Sequence, residues 1–156
     1  MSVPRRLARL TGRALLALPL LLLGGCVESM FYYPDRVRYE TPDALGLRYE
    51  RVRFQSTDGT ALSGWFIPAA GRADPREAKG TVIHFHGNAG HIGYRGGKIR
   101  AYLDEGWGVL LTTWRGYSGN PGNPTEAGLY ADAGAALDLL AGQGIAPGQM
   151  VLYGES

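Results

Sequence analysis

Two short stretches of this chain carry residues that could do chemistry together. Gly154-Glu155-Ser156 follows the apolar run QMVLY, and His86-Gly87-Asn88 follows TVIHF, inside FHGNAG. A Gly-x-Ser at a sharp strand-to-helix turn lifts the serine Oγ above the sheet, and small neighbours relieve the crowding, as in the first half of a G-x-S-x-G nucleophile elbow. Taken alone, three such residues make an ordinary turn with a serine N-cap more often than a nucleophile. The second stretch changes that balance. Acyl transfer builds negative charge on a carbonyl oxygen, and each preorganised N–H donor aimed at it is worth about 10²–10³ in rate. One donor commonly comes from a His-Gly loop after the third strand. Here the backbone N–H of Asn88 is the candidate donor, Gly87 permits close approach, and His86 is expected to orient the loop rather than act as a base.

The three histidines, His84, His86 and His91, raise a metal alternative. An H-x-H at a strand end sets two imidazoles on one face, with His91 as a third. No nearby Asp, Glu or Cys completes a familiar ligand set, and His84 falls within an apolar strand, so packed or loop-ordering histidines are the better expectation. The chain has no G-K-[ST] and no G-x-G-x-x-G for phosphates. No cofactor and no metal are expected.

The elements that must position these residues can be read from periodicity. LRYERVRF changes phase between Leu47/Tyr49 and Val52/Phe54, which predicts a strand with a slip or bulge. STDG turns into TALSGWFIP, a second strand, and the two make a hairpin. TVIHF and WGVLLTT lack polar alternation, as strands buried on both faces do. Between them, Ile99, Tyr102 and Leu103 at i, i+3 and i+4 predict a short helix ending at Gly106. Thr125 caps a second helix through Gly142, with Leu129, Ala133, Leu137 and Leu140 expected on its buried face. The order β-β-β-α-β-α-β implies right-handed crossovers and a mostly parallel sheet with helices on both faces. Ligands of such sheets bind beyond the carboxyl ends of the strands, where HGNAGHIGYR, WRGYSGNPGNP and GES all lie.

Together these residues resemble the α/β-hydrolase superfamily, and most closely its small membrane-associated group with an F-H-G-N-A-G oxyanion loop and an R-G-Y motif. FYYPD, STDGTALSGWF, HFHGNAG, WRGYSGNPGNPTEAGLYADAGAALDLL and VLYGES stand in the family's order and spacing, from about Phe31 to Ser156. The resemblance implies an α/β fold: an α/β-hydrolase-type, mostly parallel sheet with an N-terminal antiparallel hairpin, incomplete at the C-terminus. It implies a serine hydrolase of ester, thioester or amide bonds working through an acyl-enzyme. Ser156 would be the nucleophile and Asn88 an oxyanion donor, with Gly87 and His86 in the oxyanion loop. The stretch Trp114–Pro121 would shape the acyl or leaving-group side, and the substrate would be a small-molecule or lipid-like acyl compound. One departure is visible. The family often has Asp-Tyr before R-G-Y, where this chain has Thr113-Trp114. That bears on local loop contacts rather than on the chemistry, because that Asp is not the triad acid.

In this superfamily the triad runs Ser, then Asp or Glu, then His. All three histidines precede Ser156, so the residues in hand lack the acid and the base. The expectation is the N-terminal part of a hydrolase, cut at the elbow and inactive by itself. A non-catalytic envelope lipoprotein that keeps the fold for binding is the alternative. Retention of both the serine and the His-Gly loop argues against it. A dehalogenase would carry Asp at the elbow.

Composition is that of a globular chain, 45% hydrophobic and 19% charged over 156 residues. The formal charge of +2 comes from Arg5, Arg6, Arg9 and Arg13; without them 12 basic residues stand against 14 acidic, with no basic stripe, so nucleic-acid binding has no support. The basic MSVPRRLARLTGR, the uncharged ALLALPLLLL and GGC form a secretory signal. The apolar run falls short of the roughly 20 residues a bilayer span needs. L-G-G-C resembles a bacterial lipobox, which makes Cys26, the single cysteine, the lipidation site. The expected organisation is a lipoprotein signal peptide over 1–25, an anchor and lead-in over 26–46, and the N-terminal part of the hydrolase domain over 47–156. The expected location is the bacterial cell envelope, lipid-anchored, and with Val27 after the cysteine the outer membrane facing the periplasm in a Gram-negative cell. Cys26→Ser should move the protein from the membrane to the soluble fraction on cell fractionation. A mutant that stays with the membranes contradicts the anchor.

Overall fold

A computed structural model describes residues 30–36, 42–72 and 74–156. The expected signal peptide over 1–25 and Cys26 lie outside the described residues. In the segment that ends at Tyr33, the side chains of Met30, Phe31 and Tyr33 are exposed. Everything below concerns the unit Pro34–Ser156.

Five strands form one sheet: β1 (Glu50–Gln55), β2 (Ala61–Ile67), β3 (Thr81–Phe85), β4 (Gly108–Thr112) and β5 (Met150–Gly154). Their order across the sheet is β1-β2-β4-β3-β5. β1 and β2 form the expected antiparallel hairpin, β2 pairs antiparallel with β4, and β3 pairs parallel with both β4 and β5. Four of the five strands therefore point the same way. Helix α1 (Gly96–Asp104) follows β3 and α2 (Glu126–Gly142) follows β4.

The apolar runs are explained by what covers each face. Val82, Val109, Leu111, Trp65 and Ile67 form one cluster with Ile99 and Leu103 of α1. Their sequence neighbours Ile83, Leu110 and Phe66 form the opposite cluster with Ala136 and Leu140 of α2. Alternate residues of a strand serve opposite faces. With a helix on each side both faces are apolar and no alternation survives in the sequence. Ile83, Leu110, Ile99 and Leu140 are fully buried, each worth about 1.5–3 kcal/mol relative to exposure.

Two local expectations change. The β1–β2 register runs without a slip from Glu50↔Phe66 to Gln55↔Ala61. The change of phase seen in LRYERVRF is instead the start of the strand, because Leu47 and Tyr49 precede β1 and pack as partly buried residues on the α1 side. In α2 the buried residues are Gly128, Asp132, Ala135, Ala136 and Leu140, and Leu137 packs half-buried against the same cluster, so of the expected stripe Leu137 and Leu140 meet the core while Leu129 and Ala133 are only partly covered. Small residues let the helix sit close to the sheet, and the helix is turned so that Asp132 reaches a buried arginine. Thr125 caps it as expected, its side chain accepting from Gly128 N at 3.0 Å.

Among the described residues no helix is long and apolar enough to cross a membrane. β5 lies at the edge of the sheet, with Val151, Leu152 and Tyr153 exposed.

Candidate active site

Parallel pairing brings three carboxyl ends together. Phe85 of β3 is in register with Thr112 of β4 and with Gly154 of β5. The ladder continues one bond further, with Glu155 N donating to Phe85 O at 2.9 Å. The loops His86–Gly90, Thr113–Pro124 and Glu155–Ser156 thus leave the sheet side by side. A Cβ on Gly87 would lie 3.2 Å from the backbone carbon of Ser156 and 3.4 Å from Glu155 O. Glycine at 87 is what lets the two loops touch. Ser156 and Asn88 are exposed, whereas His86 and Gly87 are buried.

His86 holds the loop through both ring nitrogens. Nδ1 lies 2.7 Å from Gly87 O, and Nε2 lies 3.0 Å from Thr113 Oγ1. The Gly87 carbonyl can only accept, so Nδ1 carries the hydrogen. Burial pushes the ring's pKa down to about 4, and a neutral ring then uses Nε2 as an acceptor. A trans peptide is planar, with its C=O and N–H pointing in opposite directions. Drawing Gly87 O toward His86 therefore turns the Asn88 N–H to the other side of the peptide plane.

The loop after β4 supports this arrangement from below. Trp114 stacks on Phe85 at 5.1 Å, and its Nε1 donates to His86 O at 2.8 Å. Tyr117, fully buried, donates its hydroxyl to Asn88 O at 2.8 Å and meets the His86 ring edge-on at 5.0 Å. The loop itself is stapled at two points. Asn120 Oδ1 accepts from Ser63 N and Oγ of β2 while its Nδ2 donates to Thr113 O. Arg115 bonds Asp132 of α2 through Nε and Nη2, Asp58 of the β1–β2 turn at 2.6 Å, and Ser56 Oγ. These acceptors raise the Arg115 pKa, Asp132 foremost, and Asp58 is held well below the usual carboxylate range by Arg115 and Thr60. Buried charge is tolerated when paired this fully. Ser118 takes a left-handed backbone, φ 50°, unusual for a residue with a Cβ. Its N–H donates to Asp35 O at 2.7 Å, which ties the lead-in to the loop.

The middle residue of the elbow is fixed by charge. Glu155 receives Arg95 Nε at 2.9 Å and Lys98 Nζ at 2.5 Å, both from the α1 region. Burial alone would raise its pKa, but the Lys98 and Arg95 hydrogen bonds outweigh it and bring the carboxyl down to about 2. His84 Nε2 lies 3.3 Å from Glu155 Oε1, too poorly aligned for a hydrogen bond. Burial lowers the His84 pKa against the pull of that carboxylate.

Of the residues singled out in the sequence, Ser156, Gly87, His86 and Asn88 stand together. His84 packs in the sheet against Tyr153, and His91 caps the turn Ile92–Arg95, its Nδ1 accepting from Gly93 N. The hydrogen bonds of Thr113, Tyr117, Asn120 and Arg115 and the Glu155 clamp are not legible in the sequence. The sequence assigns WRGYSGNPGNP to a strand end near the site, but nothing in a one-dimensional pattern pairs Arg115 with Asp58 and Asp132.

This strand order, with a Gly-x-Ser beyond β5 and a His-Gly loop beyond β3, defines an α/β hydrolase. No family model matches the chain. It is 36% identical over 130 residues to the uncharacterized protein YfhR of Escherichia coli, covering 82% of this chain and 44% of that protein. It is 36% identical over 118 residues to the α/β hydrolase domain-containing protein WAV2 of Arabidopsis thaliana, covering 74% of this chain and 37% of that one. The fold matches the esterase Pf2001 of Pyrococcus furiosus with a TM-score of 0.62 at 25% identity, covering 80% of this chain and 47% of the esterase. The chain belongs to the α/β-hydrolase superfamily. It spans about half the length, or less, of the relatives it matches.

A carboxyl whose folded pKa lies below its unfolded one gives stability that is complete above the unfolded value and lost as pH falls toward the folded one. For Glu155 that window runs from its ordinary 4.5 down to about 2. Glu155→Gln should therefore remove part of the loss of stability across this window, read as a flatter acid branch in denaturant titrations at successive pH values. An acid branch identical to wild type contradicts the clamp.

Proposed function

We propose that the whole protein is a serine hydrolase that cleaves an ester, thioester or amide of a small or lipid-like acyl compound through an acyl-enzyme on Ser156. The observation that carries this reading is the contact of Gly87 with Ser156, beside a peptide whose carbonyl is held by His86. Ser156 Oγ would attack the substrate carbonyl, and its proton would pass to a base. The carbonyl oxygen, now negative, would face the Asn88 N–H and the N–H of the residue that follows the nucleophile. Collapse would expel the alcohol, thiol or amine, which takes up the proton. Water would then release the acid and regenerate the serine.

None of the three histidines in these residues suits the role of base. His86 is engaged at both nitrogens, His84 is buried in the sheet, and His91 caps a turn. In this reading the acid and base come from sequence beyond Ser156, in keeping with relatives about twice as long. A lipid on Cys26 would hold the protein at the bacterial cell envelope, a reading supported by L-G-G-C after the uncharged run ALLALPLLLL.

In the whole protein, Ser156→Ala should abolish fluorophosphonate labelling and lower ester turnover by roughly 10⁴-fold or more. The 156-residue chain alone should take no label. Unchanged turnover in the alanine variant, or robust labelling of the short chain, contradicts the proposal.

A further inference from the structure

The environment of Thr113 gives its hydroxyl a definite task. Thr113, Ser118 and His86 are all buried. Thr113 Oγ1 lies 3.0 Å from His86 Nε2 and 3.2 Å from Ser118 Oγ, and Ser118 Oγ lies 3.4 Å from Ile92 N. Each hydroxyl has one proton to give. Because Gly87 O can only accept, the His86 hydrogen sits on Nδ1, and a neutral ring presents a lone pair at Nε2. With Nε2 as an acceptor, Thr113 gives its single proton to the ring at 3.0 Å in preference to Ser118 Oγ, the longer alternative at 3.2 Å.

We propose that Thr113 is a positioning residue for the oxyanion donor: by donating to His86 Nε2 it locks the Nδ1–H tautomer that grips Gly87 O and so aims the Asn88 N–H. This rests on the serine-hydrolase reading above for its kinetic consequence, though not for its structural one. A carboxylate at this position would act differently. It can only accept, so it would demand a hydrogen on Nε2, and the ring could keep its hold on Gly87 O only by becoming a cation in a buried site. A hydroxyl satisfies the ring without charge. Burial lowers the His86 pKa to about 4, so the neutral form prevails at ordinary pH. Thr113 is itself fixed, since Asn120 Nδ2 donates to its carbonyl at 3.0 Å. Rotation of the Gly87–Asn88 peptide is opposed at both ends, by His86 at Gly87 O and by Tyr117 at Asn88 O.

The test compares the whole protein, wild type, with Thr113→Val, which keeps the shape and removes the hydroxyl, and with Thr113→Ser, which restores it. Ring ¹⁵N spectra of His86 read the tautomer, hydrolysis of p-nitrophenyl butyrate separates kcat from KM, and fluorophosphonate labelling reports Ser156 independently. Wild type should show a neutral Nδ1–H ring with a hydrogen-bonded Nε2. In Thr113→Val the Nε2 resonance should move to its unbonded position, and kcat should fall about tenfold, less than the loss of a whole donor, with KM little changed. Thr113→Ser should recover both. A wild-type ring protonated on Nε2, or a valine variant with unmoved resonance and unmoved kcat, overturns the proposal. Absence of label at Ser156 in wild type would instead sink the serine-hydrolase reading, and the His86 spectrum would still decide the role of Thr113.

Discussion

A peptide unit cannot turn its carbonyl one way and its N–H the same way. In this protein that constraint fixes the Gly87–Asn88 peptide, because His86 Nδ1 holds Gly87 O at 2.7 Å. The rest of the described fold can be understood as what keeps that one imidazole in place. The β3–β4 register sets Thr113 just past the strand end, within reach of the ring. The β3–β5 register sets Glu155 and Ser156 against Gly87. Trp114 and Tyr117 take the carbonyls on either side, from His86 and Asn88. A loop rich in glycine is ordinarily loose; this one has its carbonyls bound in succession.

Charge does the longer-range anchoring, and in each cluster a largely buried charge, Arg115 or Glu155, is paired with one largely buried partner and one that reaches solvent. Arg115 joins the β1–β2 turn, the loop after β4 and helix α2 through Asp58, Ser56 and Asp132. The guanidinium suits this place, since its planar fork serves several acceptors at once. Gly128 is needed beside it, as a Cβ there would come within 2.8 Å of the guanidinium. Glu155 does the corresponding work on the other side of the sheet, tying the elbow to Arg95 and Lys98. Removing Arg115 would leave the buried Asp132 charged and dry, which costs more than the bond itself is worth.

Much of the fold was legible because burial writes itself into periodicity. TVIHF and WGVLLTT announced doubly covered strands, Thr125 announced a capped helix, and STDG announced the hairpin. The face of α2 is legible at Leu137 and Leu140 but not at Ala135, Ala136 and Gly128, because leucines outweigh alanines in a hydrophobic pattern, whereas close packing on a sheet favours small residues. The apparent bulge in LRYERVRF was a strand start, a distinction that depends on pairing and not on sequence. At the candidate site, the meeting of Ser156 with the His86–Asn88 loop is legible because parallel strands bring both motifs to one end of the sheet. The roles of Thr113, Tyr117 and Asn120 are not, because their work is done through hydrogen bonds to backbone and ring atoms brought near only by the sheet.

The proposed serine-hydrolase function requires the Asn88 N–H to point at the charge that appears on a substrate oxygen. A structure of the whole protein with Ser156 Oγ phosphonylated measures this directly, since the phosphoryl oxygen occupies the place of the oxyanion. The account predicts that oxygen at about 2.7–3.1 Å from Asn88 N, with His86 Nδ1 still bonded to Gly87 O. A phosphoryl oxygen directed elsewhere, with Asn88 N–H making no contact to it, would contradict it.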